Sequence, residues 1–154
     1  MTTRDSSLDL GFTLVELLVV VAIVGILAVA AVANLVSAVQ RGRQKRTMAD
    51  IRNVALAVEA YQTDYSIYPR GSGTVGQIKV YLEPTYLKSL PVNDGWNRPL
   101  AYVSNGTRYT VISYGSNFQP DPPYTAGRTS RFWQDIVFDS GQFYQWPEGL
   151  QSSQ

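Results

Sequence analysis

Gly11-Phe12-Thr13-Leu14-Val15-Glu16-Leu17-Leu18-Val19-Val20-Val21-Ala22-Ile23-Val24-Gly25-Ile26-Leu27 opens a run that stays uncharged from Leu17 to Gln40, 24 residues in all. Wound as an α-helix, that run is about 36 Å long, enough to cross a bilayer hydrocarbon core of about 30 Å. A core helix apolar on every side would need burial all round, which a chain of 154 residues can hardly supply. The run therefore reads as a membrane segment. A second reading is a cleaved secretory signal, since Ala28-Val29-Ala30 and Ala31-Val32-Ala33 have the small-x-small form of a cleavage site. Against it, the stretch before the run holds Asp5, Asp9 and Glu16 where a signal requires positive charge.

Downstream the apolar pattern narrows to a stripe. Met48, Ile51, Val54, Ala55, Val58, Tyr61 and Tyr65 recur at spacings of three and four, with Asp50, Arg52, Asn53, Glu59 and Gln62 opposite. All eight prolines lie at or beyond Pro69, so no residue breaks the helix between the membrane run and the stripe. One helix of about 50 residues is expected, ending at Ser66-Ile67-Tyr68-Pro69, where the residue before proline is pushed out of the α region. Its striped half has to be covered by the remainder of the chain.

That remainder reads as β-rich. Gly71-Ser72-Gly73 is expected as a flexible connector and 75–90 as one short helix or strand. Leu100–Ser104 and Arg108–Tyr114 flank Asn105-Gly106, a pair suited to a type I′ hairpin. Asn105-Gly106-Thr107 also has the form of a glycosylation sequon, but turn chemistry accounts for the same residues. Residues 115–131, with Pro120, Pro122 and Pro123, read as a loop. Phe132–Phe138 and Gln142–Trp146 read as strands around Asp139-Ser140-Gly141. The expected fold is α+β, a long N-terminal helix packed on a small antiparallel sheet.

Composition removes whole classes of function. Without Cys there is no disulfide or thiolate chemistry, and without His there is no imidazole zinc site or His-dependent triad. The net charge of +1 and mean hydropathy of −0.09 conceal a split chain. Residues 1–40 sum to −2, residues 41–46 carry Arg41, Arg43, Lys45 and Arg46, and residues 47–154 sum to −1. A near-neutral domain argues against a nucleic-acid partner. The basic cluster reads as membrane-headgroup contact, with DNA binding as the sharper alternative. By the positive-inside rule this cluster belongs in the cytoplasm.

Residues 11–27 resemble the N-terminal signature of type IV prepilins and of type II secretion pseudopilins: glycine, phenylalanine, a polar residue, two aliphatics and a glutamate opening a membrane helix. The resemblance implies a leader, 1–11, removed by a prepilin peptidase between Gly11 and Phe12, with methylation of the new N-terminus at Phe12. It implies an assembly helix, 12–40, and a periplasmic globular domain, 41–154, that includes the amphipathic half of the helix. It also implies a single-pass inner-membrane topology opposite to the one the basic cluster favours. In the family, Glu16 pairs with the N-terminal amine of a neighbouring subunit. On its own chemistry Glu16 also fits a solvated first-turn acid, and both readings stand.

The C-terminal half resembles the major pseudopilin at Ile51–Pro69, Tyr86–Pro91, Asp94–Pro99 and Ile112–Gly115. The implied function is that of a structural filament subunit, not an enzyme. It would polymerise from the inner membrane into a periplasmic pseudopilus that drives protein export, with the assembly platform, minor pseudopilins and membrane lipid as partners. A type IV pilin for adhesion, motility or DNA uptake is the alternative. An exported or membrane-anchored binding module, using Trp96, Trp133 and Trp146, is a distant one. The resemblance further implies calcium at the loop after the hairpin, where this chain offers Asn117 and Asp121, with Asp135 just beyond. Two acids and one amide fall short of the six to eight oxygens calcium takes, so carbonyls or water would complete the set. Ordinary solvated loop acids are the competing reading.

Overall fold

The computed structural model describes residues 12–152; the expected leader, 1–11, and with it Gly11, lies outside them. The chain divides into two compact units, one ending at Val36 and one running from Ser37. In the first, helix α1 (Leu14–Tyr65) begins at Leu14, and the side chains from Phe12 to Val29 are all exposed. Such a surface fits hydrocarbon and not water. The helix is 52 residues long and is helical through Ala33, as the absence of proline requires.

In the second unit, α1 buries Ile51, Val54, Ala55, Ala57 and Val58 in the core, with Met48 and Tyr61 partly covered. The expected stripe stops one turn early. Tyr65 is 60% exposed and stacks on Tyr61, ring centres 4.4 Å apart. Ser66 ends the helix by adopting a left-handed φ of 59°.

After α1 come β1 (Gly71–Thr74), a 3₁₀ turn (Val75–Ile78), the one-turn helix α2 (Lys79–Leu82), and then strands β2 (Ala101–Ser104), β3 (Tyr109–Ser113), β4 (Gly127–Arg131), β5 (Ile136–Asp139) and β6 (Gln142–Ser152). The six strands form one sheet in the order β1-β2-β3-β5-β6-β4. The sheet is antiparallel except for β4, which runs parallel to β6. Tyr102, Tyr109, Val111, Ile136 and Phe138 join the helix stripe in the core, together with Val75, Ile78, Leu82 and Leu100.

Three local expectations need correction. Gly71-Ser72-Gly73 is not a loose connector but an edge strand, with Gly71 opposite Ser104 and Gly73 opposite Tyr102. Asn105-Gly106 does not form a two-residue turn, because Ser104 pairs with Tyr109 and leaves a four-residue loop. There the Asn105 carboxamide accepts from the Thr107 and Arg108 N–H groups, an Asx turn that competes with the type I′ geometry. The two-residue turn with positive φ at both central positions occurs instead at Ser140 (42°) and Gly141 (102°), where Asp139 pairs with Gln142. The 115–131 loop also ends in a strand, β4, at the sheet margin. The Ser130 and Arg131 N–H groups of β4 both donate to Gln134 Oε1.

The turn-rich segment before β2 is locked to the helix. Asp94 is buried and accepts from the Trp96 and Arg98 N–H groups and from the Ser113 hydroxyl at 2.7 Å. Beside it, the Gly95 N–H donates to Thr47 Oγ1, and the Trp96 indole donates to Gln40 Oε1. Gly95 sits so close that any Cβ there would overlap the Arg43 carbonyl. Replacing it forces this segment off the helix, since backbone cannot yield as a flexible side chain does. Gly95→Ala should therefore cost about 1–3 kcal/mol or more of stability. Chemical denaturation of the purified protein measures it, and a loss well below that would mean the Arg43 contact is loose.

Candidate functional site

Two constellations gather the residues that the sequence singles out. The first is the start of α1. Thr13 stands at the N-cap and Glu16 three residues on, and they form a capping box. The Thr13 N–H and hydroxyl each donate to Glu16 Oε2 at 2.9 Å, and the Glu16 N–H donates back to Thr13 Oγ1 at 3.3 Å. Phe12 lies directly before the cap, 82% exposed. The carboxylate thus has donors at the helix start, where the positive end of the helix dipole also favours it. This is the arrangement of the first-turn acid. It leaves Glu16 exposed at the apolar end of α1, with no cation beside it among the described residues.

The second constellation is the loop from Tyr114 to Asp135. Gly115 turns the chain out of β3 with a φ of 59°, and a Cβ there would come within 2.5 Å of the Trp133 carbonyl. The loop then folds back so that the Asp121 N–H donates to Asp135 Oδ2 at 3.0 Å. Asn117 donates to Asp121 Oδ2 over 3.5 Å, a weak contact. The three expected residues are thus linked, but it is the Asp121 backbone, not its carboxylate, that bonds Asp135. Asp135 is fully buried, and its Oδ1 has no hydrogen-bond partner. Burial pushes its carboxyl up to about 6, only partly offset by the Asp121 N–H and by the Tyr124 hydroxyl, which also bonds it. A buried carboxylate oxygen without a donor is the kind of group a hard cation satisfies. Among the described residues, however, no cluster of three or more acids forms here. The donor set fits calcium only with carbonyls and water added.

Two residues that hold this loop were not legible in the sequence. Gln145, buried on β6, donates to the Asp135 carbonyl at 2.9 Å and accepts from the Thr125 N–H at 3.1 Å. Tyr124 packs against Ala101, Ile112 and Val137 on the sheet, and the Asp135 carboxylate raises its hydroxyl well above the usual range once burial has done so. A glutamine in an alternating strand and a tyrosine in a proline-rich loop carry no signal of such a role. The three tryptophans are each half-buried and engaged within the chain, Trp96 bonded to Gln40, Trp146 to Glu148, and Trp133 beneath the Arg131 guanidinium.

Comparison with known proteins identifies the family. A prokaryotic N-terminal methylation motif matches residues 7–32, spanning the Gly11-Phe12 junction and Glu16. The family described as type II secretion system protein G matches residues 34–125. Among curated relatives, the type II secretion system core protein G of Vibrio cholerae is 34% identical over 110 residues, covering 66% of this chain and 75% of its own. The protein of the same name from Pseudomonas aeruginosa is 36% identical over 121 residues, covering 70% and 83%. That of Dickeya chrysanthemi is 30% identical over 123 residues, covering 72% and 80%. An apolar helix carrying a methylation motif, continued into a domain matched over its helix, hairpin and turn segments, places this chain in the type II secretion system protein G family.

Proposed function

We propose that the chain is the pseudopilin of a type II secretion system, a structural subunit that polymerises through its apolar helix into a pseudopilus driving protein export. The observation that carries this reading is the exposed helix from Phe12 to Val29, headed by the Thr13–Glu16 box, in a chain of the protein G family. The protein G match supports the secretion subunit over a type IV pilin. Helix–helix packing without water between the subunits supplies the lateral contact, and no reaction is assigned to the chain. The helix is held in the inner membrane through residue 40, with residues 41–154 on the periplasmic side. Partners are further copies of itself, the peptidase acting between Gly11 and Phe12, the assembly platform and the minor pseudopilins.

In this reading Phe12 is the methylated N-terminus of the mature subunit, one helical turn from Glu16. Glu16 then accepts the amine of an adjacent copy, exchanging part of its Thr13 box for a charge-assisted bond. Calcium would be held by Asp135, Asp121 and Asn117, completed by carbonyls and water, and would supply the counter-charge the buried Asp135 carboxylate lacks.

Intact-mass measurement of the native protein should give a chain beginning at methylated Phe12; a chain beginning at Asn34 would establish the signal reading instead. Glu16→Ala should still insert and be cleaved, since removing a charge eases insertion by up to about 2.5–3.5 kcal/mol, yet filaments should be lost. Wild-type filament yield from that variant would remove Glu16 as the pairing group. Calcium at a hundred times its dissociation constant should stabilise the domain by about 2.7 kcal/mol. Thermal melts with calcium and with chelator read this, and Asp121→Ala should abolish the difference. The Asp135 carboxyl sits near 6 in the folded chain against 3.8 ordinarily, so the folded state holds the extra proton. Its stabilising contribution is full below about 4 and lost as pH rises through about 6. In chelator, wild type relative to Asp135→Asn should therefore gain stability as pH falls from 7 to 5. With calcium bound that gain should shrink. Identical pH profiles for the two proteins in chelator would show that Asp135 is not strained by its charge.

A further inference from the structure

The basic cluster that follows the membrane run borders a cleft of about 180 Å³, the volume of about six waters. Arg41, Gln44, Lys45 and Met48 of α1 line one side of it, and Pro147, Glu148 and Gln151 of β6 line the other. Arg41 and Lys45 are exposed and neither makes an ion pair among the described residues. The opposite wall carries Glu148, whose Oε2 binds Arg128 at 2.9 Å and the Trp146 indole. Gln44, buried, donates to Gln151 Oε1, and Gln151 in turn donates to the Thr129 and Glu148 carbonyls, so the β6 wall is fixed to the helix. The cleft thus has a rigid frame, two unpaired cations on one rim and, on the other, a carboxylate whose Oε2 is held by Arg128.

Its place along α1 says what meets it. Leu17–Gln40 covers about 36 Å, which exceeds a hydrocarbon core of about 30 Å, and the headgroup layers extend the bilayer to about 40–45 Å. Arg41 and Lys45, on the first turn beyond the run, border the headgroup layer, and their long side chains reach back to phosphate depth. We propose that this cleft binds the phosphoethanolamine headgroup of a membrane phospholipid. The phosphodiester is met by Arg41 and Lys45, and the primary ammonium by Glu148. This rests on the membrane-anchored reading above. Charge complementarity selects the occupant. A purely anionic headgroup offers no donor to the second Glu148 oxygen, and a choline headgroup has no N–H to give it. The site also accounts for two of the four basic residues, Arg41 and Lys45, on the side of the membrane where the positive-inside rule disfavours them.

The test uses the full-length protein in vesicles of phosphatidylcholine mixed with either phosphatidylethanolamine or phosphatidylglycerol. Flotation is followed by gentle detergent extraction and native mass spectrometry of the lipid retained. Wild type should keep phosphatidylethanolamine several-fold over phosphatidylcholine and over phosphatidylglycerol. Arg41→Gln with Lys45→Gln should lose retention of all three, whereas Arg70→Gln with Lys88→Gln should match wild type. Glu148→Gln should erase the preference for ethanolamine over choline without lowering total retention. Preferential retention of phosphatidylglycerol would overturn the assignment, as would equal retention of all three lipids or equal losses in both double variants. A wild-type chain that fails to float would overturn the membrane reading along with it.

Discussion

One helix has to satisfy two solvents. For its first turns α1 presents apolar groups on every side, and from Thr47 onward only one stripe is apolar and the opposite side is charged or polar. Everything after Tyr65 exists to cover that stripe. Ile51, Val54, Ala55 and Val58 are buried to within 2%, each contributing hydrophobic free energy of the order of 1–3 kcal/mol for the larger side chains. The sheet that covers them is held by aromatic residues with polar ends. Tyr109 reaches back to Glu59 at 2.7 Å, and Tyr102 donates to the Pro69 carbonyl, so both hydroxyls are paired within the core.

The Asp94–Pro99 turn shows why a short motif can be worth many contacts. A single buried carboxylate accepts three donors, and its neighbours reach the helix at Gln40, Arg43 and Thr47. Each residue type there has a reason. Aspartate supplies the acceptors, glycine permits the approach, tryptophan spans the gap and proline leads into β2 through the bridge from Asn93 to Pro99. Asp135 is the contrasting case. It is equally buried but keeps one oxygen unpaired, whereas Asp94 is a finished structural element.

Much of this was readable beforehand, because periodicity and proline placement report on helices directly. The membrane run, the stripe from Met48 to Tyr61, the helix end and the antiparallel β-rich half all follow from local patterns. What escaped was non-local. Gly71–Thr74 has the composition of a linker and becomes a strand only because β2 offers it partners. The parallel pairing of β4 depends on a long excursion returning to the far side of β6, which no residue pattern announces. The Asn105 turn went astray because an asparagine can serve φ or serve as an acceptor, and here the acceptor role won. Of the candidate residues, Glu16 was found by its charge in an apolar setting. Gln145 and Tyr124, which act through carbonyl and carboxylate geometry, leave no such trace.

The margin of the sheet carries a further meaning for a protein whose proposed work is self-association. An open strand edge invites another strand, and that kind of growth is hard to reverse. In β4 the Ser130 and Arg131 amides are both taken by the Gln134 side chain, and Arg128 and Arg131 add charge to the same strand. A second copy meeting this margin is thereby steered away from joining through a backbone ladder, so any contact made at β4 is left to its side chains.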